Sequence, residues 1–215
     1  METKSSLFIV GAGGLGRELL AWAHEIPTEK RNWEIKAFLN SVATALDGYD
    51  IDFPILCDSL DFNFTGEELI ICAIGAPDGK LPLCRKLLQR GARFTSIVHP
   101  TALVSPTAHV SPGCIIATES LVSPGAIICS FATILGSTAI GADALLEEGV
   151  TISGFCSVGA GAVIGEGAFL GSHATVAPGT TVGKSAKIGA RTAVSGEIPA
   201  GSTFFGVPGR MISGF

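Results

Sequence analysis

Charged residues are scarce: Lys and Arg number 14, Asp and Glu 19, and together they make 15% of the 215 residues. The formal charge is −5, the sequence pI is near 5.3, and no basic run occurs. Affinity for a phosphate backbone comes from clustered Lys and Arg, so nucleic-acid binding is excluded as the main task. The six cysteines are scattered without a pairwise motif, which excludes a secreted disulfide scaffold and predicts reduced thiols in a cytoplasmic protein. The apolar run Leu7 to Val10 is too short for a signal peptide before Gly11 breaks it. Ser120 to Ala142 carries no charge and has the length of a membrane span, but Pro124, Gly125, Gly136 and its serines argue against membrane insertion. With 47% hydrophobic residues and 28 glycines, the chain predicts one large or two small ordered domains.

Two segments of different periodicity follow one another. Residues 1–99 alternate apolar strands with helical patterns, as in a small α/β unit. Leu7 to Val10, Trp33 to Leu39, Glu68 to Ile74 and Arg93 to Val98 predict strands. Helices are predicted over Gly16 to Ile26, with Leu19, Leu20, Trp22 and Ala23 on the apolar face, and through Leu83, Leu87 and Leu88 to near Gly91. Gly11, Gly13 and Gly16 form G-x-G-x-x-G between the first strand and the first helix, where close backbone approach and free amides suit a phosphate. The same glycines would also serve helix-on-strand packing alone. A dinucleotide site would place an acid at the end of the second strand; Asn40 stands there, which lowers the case for NAD and leaves a nucleotide-linked substrate. About 100 residues give half of a full dinucleotide fold.

From 100 to 215 the period is six. Aliphatic residues recur without a failure at Val104, Val110, Ile116 and every sixth position to Val194, and two residues before each stands a small or compact one, from Ala102 to Thr192. This is the period of the hexapeptide β-helix, three short strands to an 18-residue triangular coil. The prediction is an α/β Rossmann-like half domain followed by an all-β left-handed parallel β-helix of about five coils, roughly 25 Å tall. Leu103, Ile115, Leu121, Ile127, Leu145, Val163 and Phe169 take the outward slots. That surface is too apolar for an isolated prism and predicts a homotrimer.

The order G-A-G-G-L-G-R-E at Gly11 to Glu18, A-I-G at Ala73 to Gly75, H-P-T-A at His99 to Ala102, the hexapeptides, and F-G-V-P-G-R at Phe205 to Arg210 resembles bacterial sugar O- and N-acyltransferases of the hexapeptide-repeat superfamily. These are relatives of sialic acid O-acetyltransferase and UDP-4-amino-sugar N-acetyltransferase. The resemblance spans nearly the whole chain and implies a trimer, acetyl-CoA as co-substrate between adjacent β-helices, and a nucleotide sugar on the N-terminal domain. It implies Gly11, Gly13, Gly14, Gly16, Asn40 and Gly75 at the nucleotide sugar, and Thr151, Ala160, Ser172 and Ala190 along the coenzyme groove. Family members carry a base as His in I-G-H-D or I-E-H-E. Here the stretch is Ile140, Gly141, Ala142, Asp143: the acid is present, but a methyl group cannot accept a proton.

The four histidines offer few substitutes. His24 lies on the first helix, His99 at the junction, and His109 at an early coil. His173 falls in a column of stacked positions with Glu119, Ser137, Phe155 and Arg191, almost two coils from Asp143, which speaks against a direct pair within one chain. Asp143 and His173 are the catalytic candidates. A metal site of the hexapeptide carbonic-anhydrase kind needs three imidazoles; only His109 and His173 lie on the prism, so no metal is expected. Glu147 and Glu148 read as a solvated turn. A sugar amine can attack a thioester with little help where an alcohol cannot, so N-acylation in surface-glycan biosynthesis is favoured. The rival is a catalytically silent homologue that binds a sugar nucleotide or an enzyme partner.

Overall fold

The computed structural model describes residues 4–212. The N-terminal unit is a four-stranded parallel sheet of order β2-β1-β3-β4, with β1 at Ser5–Val10, β2 at Trp33–Leu39, β3 at Leu69–Cys72 and β4 at Arg93–Phe94. Helix α1 (Gly14–Glu25) follows β1 and α2 (Pro77–Gln89) follows β3. The central strands carry unbroken buried apolar runs, Leu7 to Val10 in β1 and Leu69 to Cys72 in β3, as a sheet covered on both faces requires: Leu7, Ile9, Ile70 and Ile71 are wholly buried. α1 lays Leu19, Leu20 and Ala23 on one side of the sheet, and α2 lays Leu81, Cys84 and Leu87 on the other.

The predicted strand Arg93 to Val98 divides. β4 closes the sheet, while β5 (Ile97–Val98) pairs with Ile115–Ile116 and begins the prism. Thr95 to Ser96 turn the chain from one to the other, and sequence periodicity cannot register so short a break.

The hexads stack as a parallel β-solenoid with three faces. The first runs from β5 through Ile115–Ile116, Thr133–Ile134, Thr151–Ile152, Phe169–Leu170 and Lys187–Ile188 to Thr203–Phe205, closed by antiparallel Arg210–Ile212. The second contains Leu103–Val104, Leu121–Val122, Ala139–Ile140, Ser157–Val158, Thr175–Val176 and Ala193–Val194. The third contains His109–Val110, Ile127–Ile128, Leu145–Leu146, Val163–Ile164, Thr181–Val182 and Glu197–Ile198. The stack has about six coils rather than the five expected, because Ile97 and Ile198 extend it beyond the last regular hexads; at strand spacing it is roughly 29 Å tall. The aliphatic positions from Ile116 to Val194 are buried, with the small ones beside them, and Val104 and Val110 pack partly buried at the open end.

The two units share one contact surface. Ile115, expected to face outward, is wholly buried in the α1-side core, and Phe131 joins the α2-side core against Phe94 at a ring separation of 4.8 Å. The first face is therefore covered by the N-terminal unit. Lys80 of α2 is 1% exposed there, and its Nζ donates to Thr133 Oγ1 at 3.0 Å, Thr151 Oγ1 at 2.8 Å and the Val150 carbonyl at 3.2 Å.

Candidate active site

Two places gather the residues singled out by sequence. The first is the carboxyl end of the parallel sheet. The chain winds outward from β1 to β2 and in the opposite sense from β3 to β4, so a crevice opens beyond β1 and β3. The glycine motif divides by role at this crevice. A Cβ on Gly16 would lie 2.1 Å from the Gly11 carbonyl oxygen, and Gly11 itself has φ +98°; these two glycines let the helix sit on the turn. Gly13 and Gly14 have nothing within 4 Å of a Cβ and are exposed. Gly13 caps α1 without a side-chain partner, and no acid stands in the first turn, so its amides face open space. Asn40 Oδ1 accepts the Ala12 N–H at 3.2 Å and its Nδ2 donates to the Val42 carbonyl at 3.0 Å, which fixes the amide beside the turn. Gly75 follows β3 on the other side of the crevice. Sequence reasoning missed two neighbours: the Arg17 guanidinium lies 3.8 Å from the centre of the Tyr49 ring. Arg17 follows the motif directly and could have been read from it; nothing in the sequence pointed to Tyr49.

The second place is the prism's edges. From Gly113 to Gly201 each turn between faces puts one residue at positive φ, and these align in three columns. The first edge, between first and second faces, is Glu119, Ser137, Phe155, His173 and Arg191, as the 18-residue spacing predicts. The second edge, between second and third faces, is Gly125, Asp143, Gly161, Gly179 and Gly196. Asp143 is exposed, its N–H donates to the Pro124 carbonyl at 3.0 Å, and its Oδ1 lies where a Cβ on Gly125 would come within 2.1 Å. Ala142 and Ala160 stack on this edge, with the Gly161 N–H bonded to the Ala142 carbonyl at 2.8 Å. Gly141 is required here, since its Cβ would lie 2.5 Å from the Ala160 nitrogen. Among the described residues the Ala160 N–H donates to no backbone carbonyl, so a donor stands one coil above Ala142.

Asp143 and His173 occupy different edges, so within one chain they are not brought together. Ser172 and Ala190 lie exposed beside His173 on the first edge. Thr151 is 2% exposed, its hydroxyl held by Lys80, and so it faces the N-terminal unit instead of a groove. The remaining histidines have structural surroundings. His99 is buried between Glu25 Oε2 at 3.0 Å and Thr101 Oγ1 at 2.8 Å, His24 lies against Phe53, and His109 meets Ser111. Glu147 and Glu148 also do structural work: Glu147 accepts the Glu166 N–H, while Arg85 bridges Glu148 and Glu166 at 2.7 Å each. Arg85, with Lys184, holds the Glu166 carboxyl below its ordinary pKa.

A three-faced hexapeptide prism docked to a parallel-sheet unit with an open glycine turn has counterparts among known proteins. Residues 161–196 match the family of bacterial transferase hexapeptide repeats (six repeats). No curated protein sequence matches. Among solved structures, the acetyltransferase domain of PglB from Neisseria gonorrhoeae FA1090, in complex with acetyl coenzyme A, is 25% identical with a TM-score of 0.87, over 97% of this chain and 100% of that one. A variant of perosamine N-acetyltransferase from Caulobacter crescentus, in complex with CoA and GDP-perosamine, is 23% identical with a TM-score of 0.87 over 97% of both chains. WeeI from Acinetobacter baumannii AYE is 18% identical with a TM-score of 0.64, over 96% and 99%. The likeness in fold to these proteins extends over 96–97% of this chain, well beyond the repeat-matched residues 161–196.

Proposed function

We propose that this chain is an acetyl-CoA-dependent acyltransferase that N-acylates a nucleotide-linked amino sugar for surface-glycan biosynthesis, in the cytoplasm and as a homotrimer. The observation that carries the reading is the pairing, in one chain, of an open glycine crevice with a hexapeptide edge that presents Asp143 and a free amide. The Rossmann-like half domain, residues 1–99, holds the nucleotide sugar at Gly13, Gly14, Asn40 and Gly75, with Gly11 and Gly16 shaping the turn. Residues 100–215 form the left-handed β-helix that binds the coenzyme.

The coenzyme residues explain the trimer. Ala160 stands on the second edge, Ser172 and Ala190 on the first, and both edges border the second face. Three prisms that turn their second faces toward a common axis bring the second edge of one copy against the first edge of the next. Ala160, Ser172 and Ala190 then line one groove, with His173 on its wall almost two coils above the level of a neighbour's Asp143.

In this groove the sugar nitrogen, once deprotonated, attacks the thioester carbonyl. The C–N bond forms, the developing oxyanion accepts a hydrogen bond from the Ala160 N–H, and the C–S bond breaks, the thiolate leaving as thiol with the proton that the nitrogen loses on becoming an amide. The ammonium proton passes to Asp143 or to water. With a methyl group at Ala142, no imidazole removes a proton from a hydroxyl on the same edge, which favours an amine over an alcohol as acceptor. Thiol release from acetyl-CoA, measured with UDP-, dTDP- and GDP-linked amino sugars and their hydroxy counterparts, tests the proposal. Turnover confined to amino sugars supports it. Intact nucleotide binding without turnover would favour the silent homologue that Ala142 also suggests.

A further inference from the structure

Glu119 is the one Asp, Glu, Lys or Arg between Arg93 and Asp143, and no ion pair engages it among the described residues. It is exposed on the first edge, beside the second face that carries exposed Leu103 and Leu121. A lone carboxylate next to surface that copies are to cover loses water, which is unfavourable unless a cation arrives. Its setting is built. Glu119 and Ser137 hold φ of 55° and 56°, a backbone costly to residues with a Cβ, whereas glycine takes most positive-φ positions of the other two edges. The Glu119 N–H donates to Thr101 Oγ1 at 3.0 Å, the Ser137 N–H to the Thr118 carbonyl at 2.9 Å, and Ser137 Oγ to Glu119 Oε2 at 3.2 Å. The serine hydroxyl thus gives its hydrogen to the carboxylate and keeps lone pairs for another donor.

Register decides what meets this pair. The inference rests on the arrangement proposed above, in which the first edge of one copy faces the second edge of the next at equal height about a threefold axis. Six residues climb about 1.6 Å, so Ser137 stands that far below a neighbour's Asp143, while Phe155 stands about 3 Å above it. Phe155 is 61% exposed in the single chain, with its ring stacked on His173 at 5.0 Å; opposite the span from Asp143 to Ala160 it gains cover. We infer that Ser137 and Glu119 of one copy serve the acceptor amine of the next as the proton relay that Ala142 cannot supply. The ammonium lies between Ser137 and the neighbour's Asp143. Its proton passes to Ser137 Oγ as the serine's own proton passes to Glu119, which leaves a neutral amine, an intact serine and a neutral carboxyl in place of transfer to water. Ser137 touches the nitrogen, and Glu119 acts through it.

The test follows thiol release from acetyl-CoA against pH, with whichever UDP-, dTDP- or GDP-linked amino sugar wild type turns over. Glu119→Gln should lower kcat about tenfold or more, with the KM for acetyl-CoA within about twofold of wild type. The loss should shrink toward alkaline pH, where the amine arrives already deprotonated, and Glu119→Asp should recover part of it. Ser137→Gly separates chemistry from folding: relief of positive φ should keep or raise the melting temperature while kcat falls. Co-expression of differently tagged Glu119→Gln and Asp143→Asn chains tests the crossing between copies. Each variant alone lacks one side of every site, whereas random mixed trimers rebuild about a quarter of the sites and should regain turnover in that proportion. An unchanged kcat in Glu119→Gln, a loss that is the same at every pH, or mixed trimers no more active than either parent would overturn the inference while leaving the proposed activity in place. Wild type that releases no thiol with any amino sugar would remove the activity and the relay together.

Discussion

An ammonium enclosed by two hydroxyls and a carbonyl has no water to fall back on. Burial pushes the Lys80 pKa down to about 8 from 10.5, against the opposing pull of the Cys72, Cys84 and Cys114 thiols. The folded chain thus holds this proton less tightly than the unfolded one. Between about pH 8 and 10.5 the unfolded state carries the extra proton, so this residue makes stability rise with pH across that window and contributes no slope below it. Lys80→Met leaves Thr133, Thr151 and the Val150 carbonyl without their donor and should cost about 2 to 4 kcal/mol at neutral pH. Urea unfolding at pH 7.5 and 10 should show the gap between wild type and variant widening by roughly 2 to 3 kcal/mol at the higher pH; a gap that does not change with pH would refute the assignment. Ala142 supports a second test. Ala142→His places an imidazole beside Asp143 on the second edge, and a rise in thiol-release rate of about 10² or more is expected from a restored general base. An unchanged rate would mean that the groove does not run along this edge.

Docking of α2 on the prism can be isolated with a matched pair of turn glycines. A Cβ on Gly149 would meet three Leu81 side-chain carbons at 3.0 to 3.2 Å, and its φ is +69°; Gly161 has φ +64° and nothing within 4 Å. Gly161→Ala should therefore cost only the backbone strain, about 1 to 2 kcal/mol, whereas Gly149→Ala adds overpacking of about 1 to 3 kcal/mol. Chemical denaturation of both variants reads the difference, and equal losses would show that Leu81 yields freely. The same contact marks the limit of what was legible in the sequence. A strict hexad from Val104 to Val194 announces the prism because each inward slot is filled independently by the same rule, and the 18-residue column of His173 follows from it. Periodicity tells which side of a strand points outward but not what will cover it. Hence Ile115 and Thr151 looked exposed and are buried beneath α1 and α2. Lys80, on a helix of ordinary pattern, gave no sign that it would be enclosed. The glycine turn was legible as a motif, yet only coordinates separate Gly11 and Gly16, which packing demands, from Gly13 and Gly14, which stand open.

Assembly decides whether the two halves of the proposed groove ever meet. The N-terminal unit covers the first face, while among the described residues outward side chains stay exposed on the second face, at Leu103 and Leu121, and on the third, at Ile127. On the second face Leu103 is 69% and Leu121 44% exposed, and a groove of about 330 Å³ runs between them down to Pro124. Apolar surface of this kind next to the small outward side chains of Ala139 and Ser157 suits close approach of copies around an axis. Sedimentation equilibrium should therefore give a particle three times the mass of the 22.0 kDa chain. Replacing both leucines, Leu103→Glu with Leu121→Glu, introduces like charges at the axis and should yield single chains with an unchanged far-ultraviolet spectrum. Those single chains should lose thiol release by about 10² or more, because positioning across two copies is lost. They should still bind the nucleotide, since Gly13, Gly14, Asn40 and Gly75 all belong to one chain's crevice. A variant that sediments as a monomer and keeps full turnover would show that one prism holds the coenzyme alone.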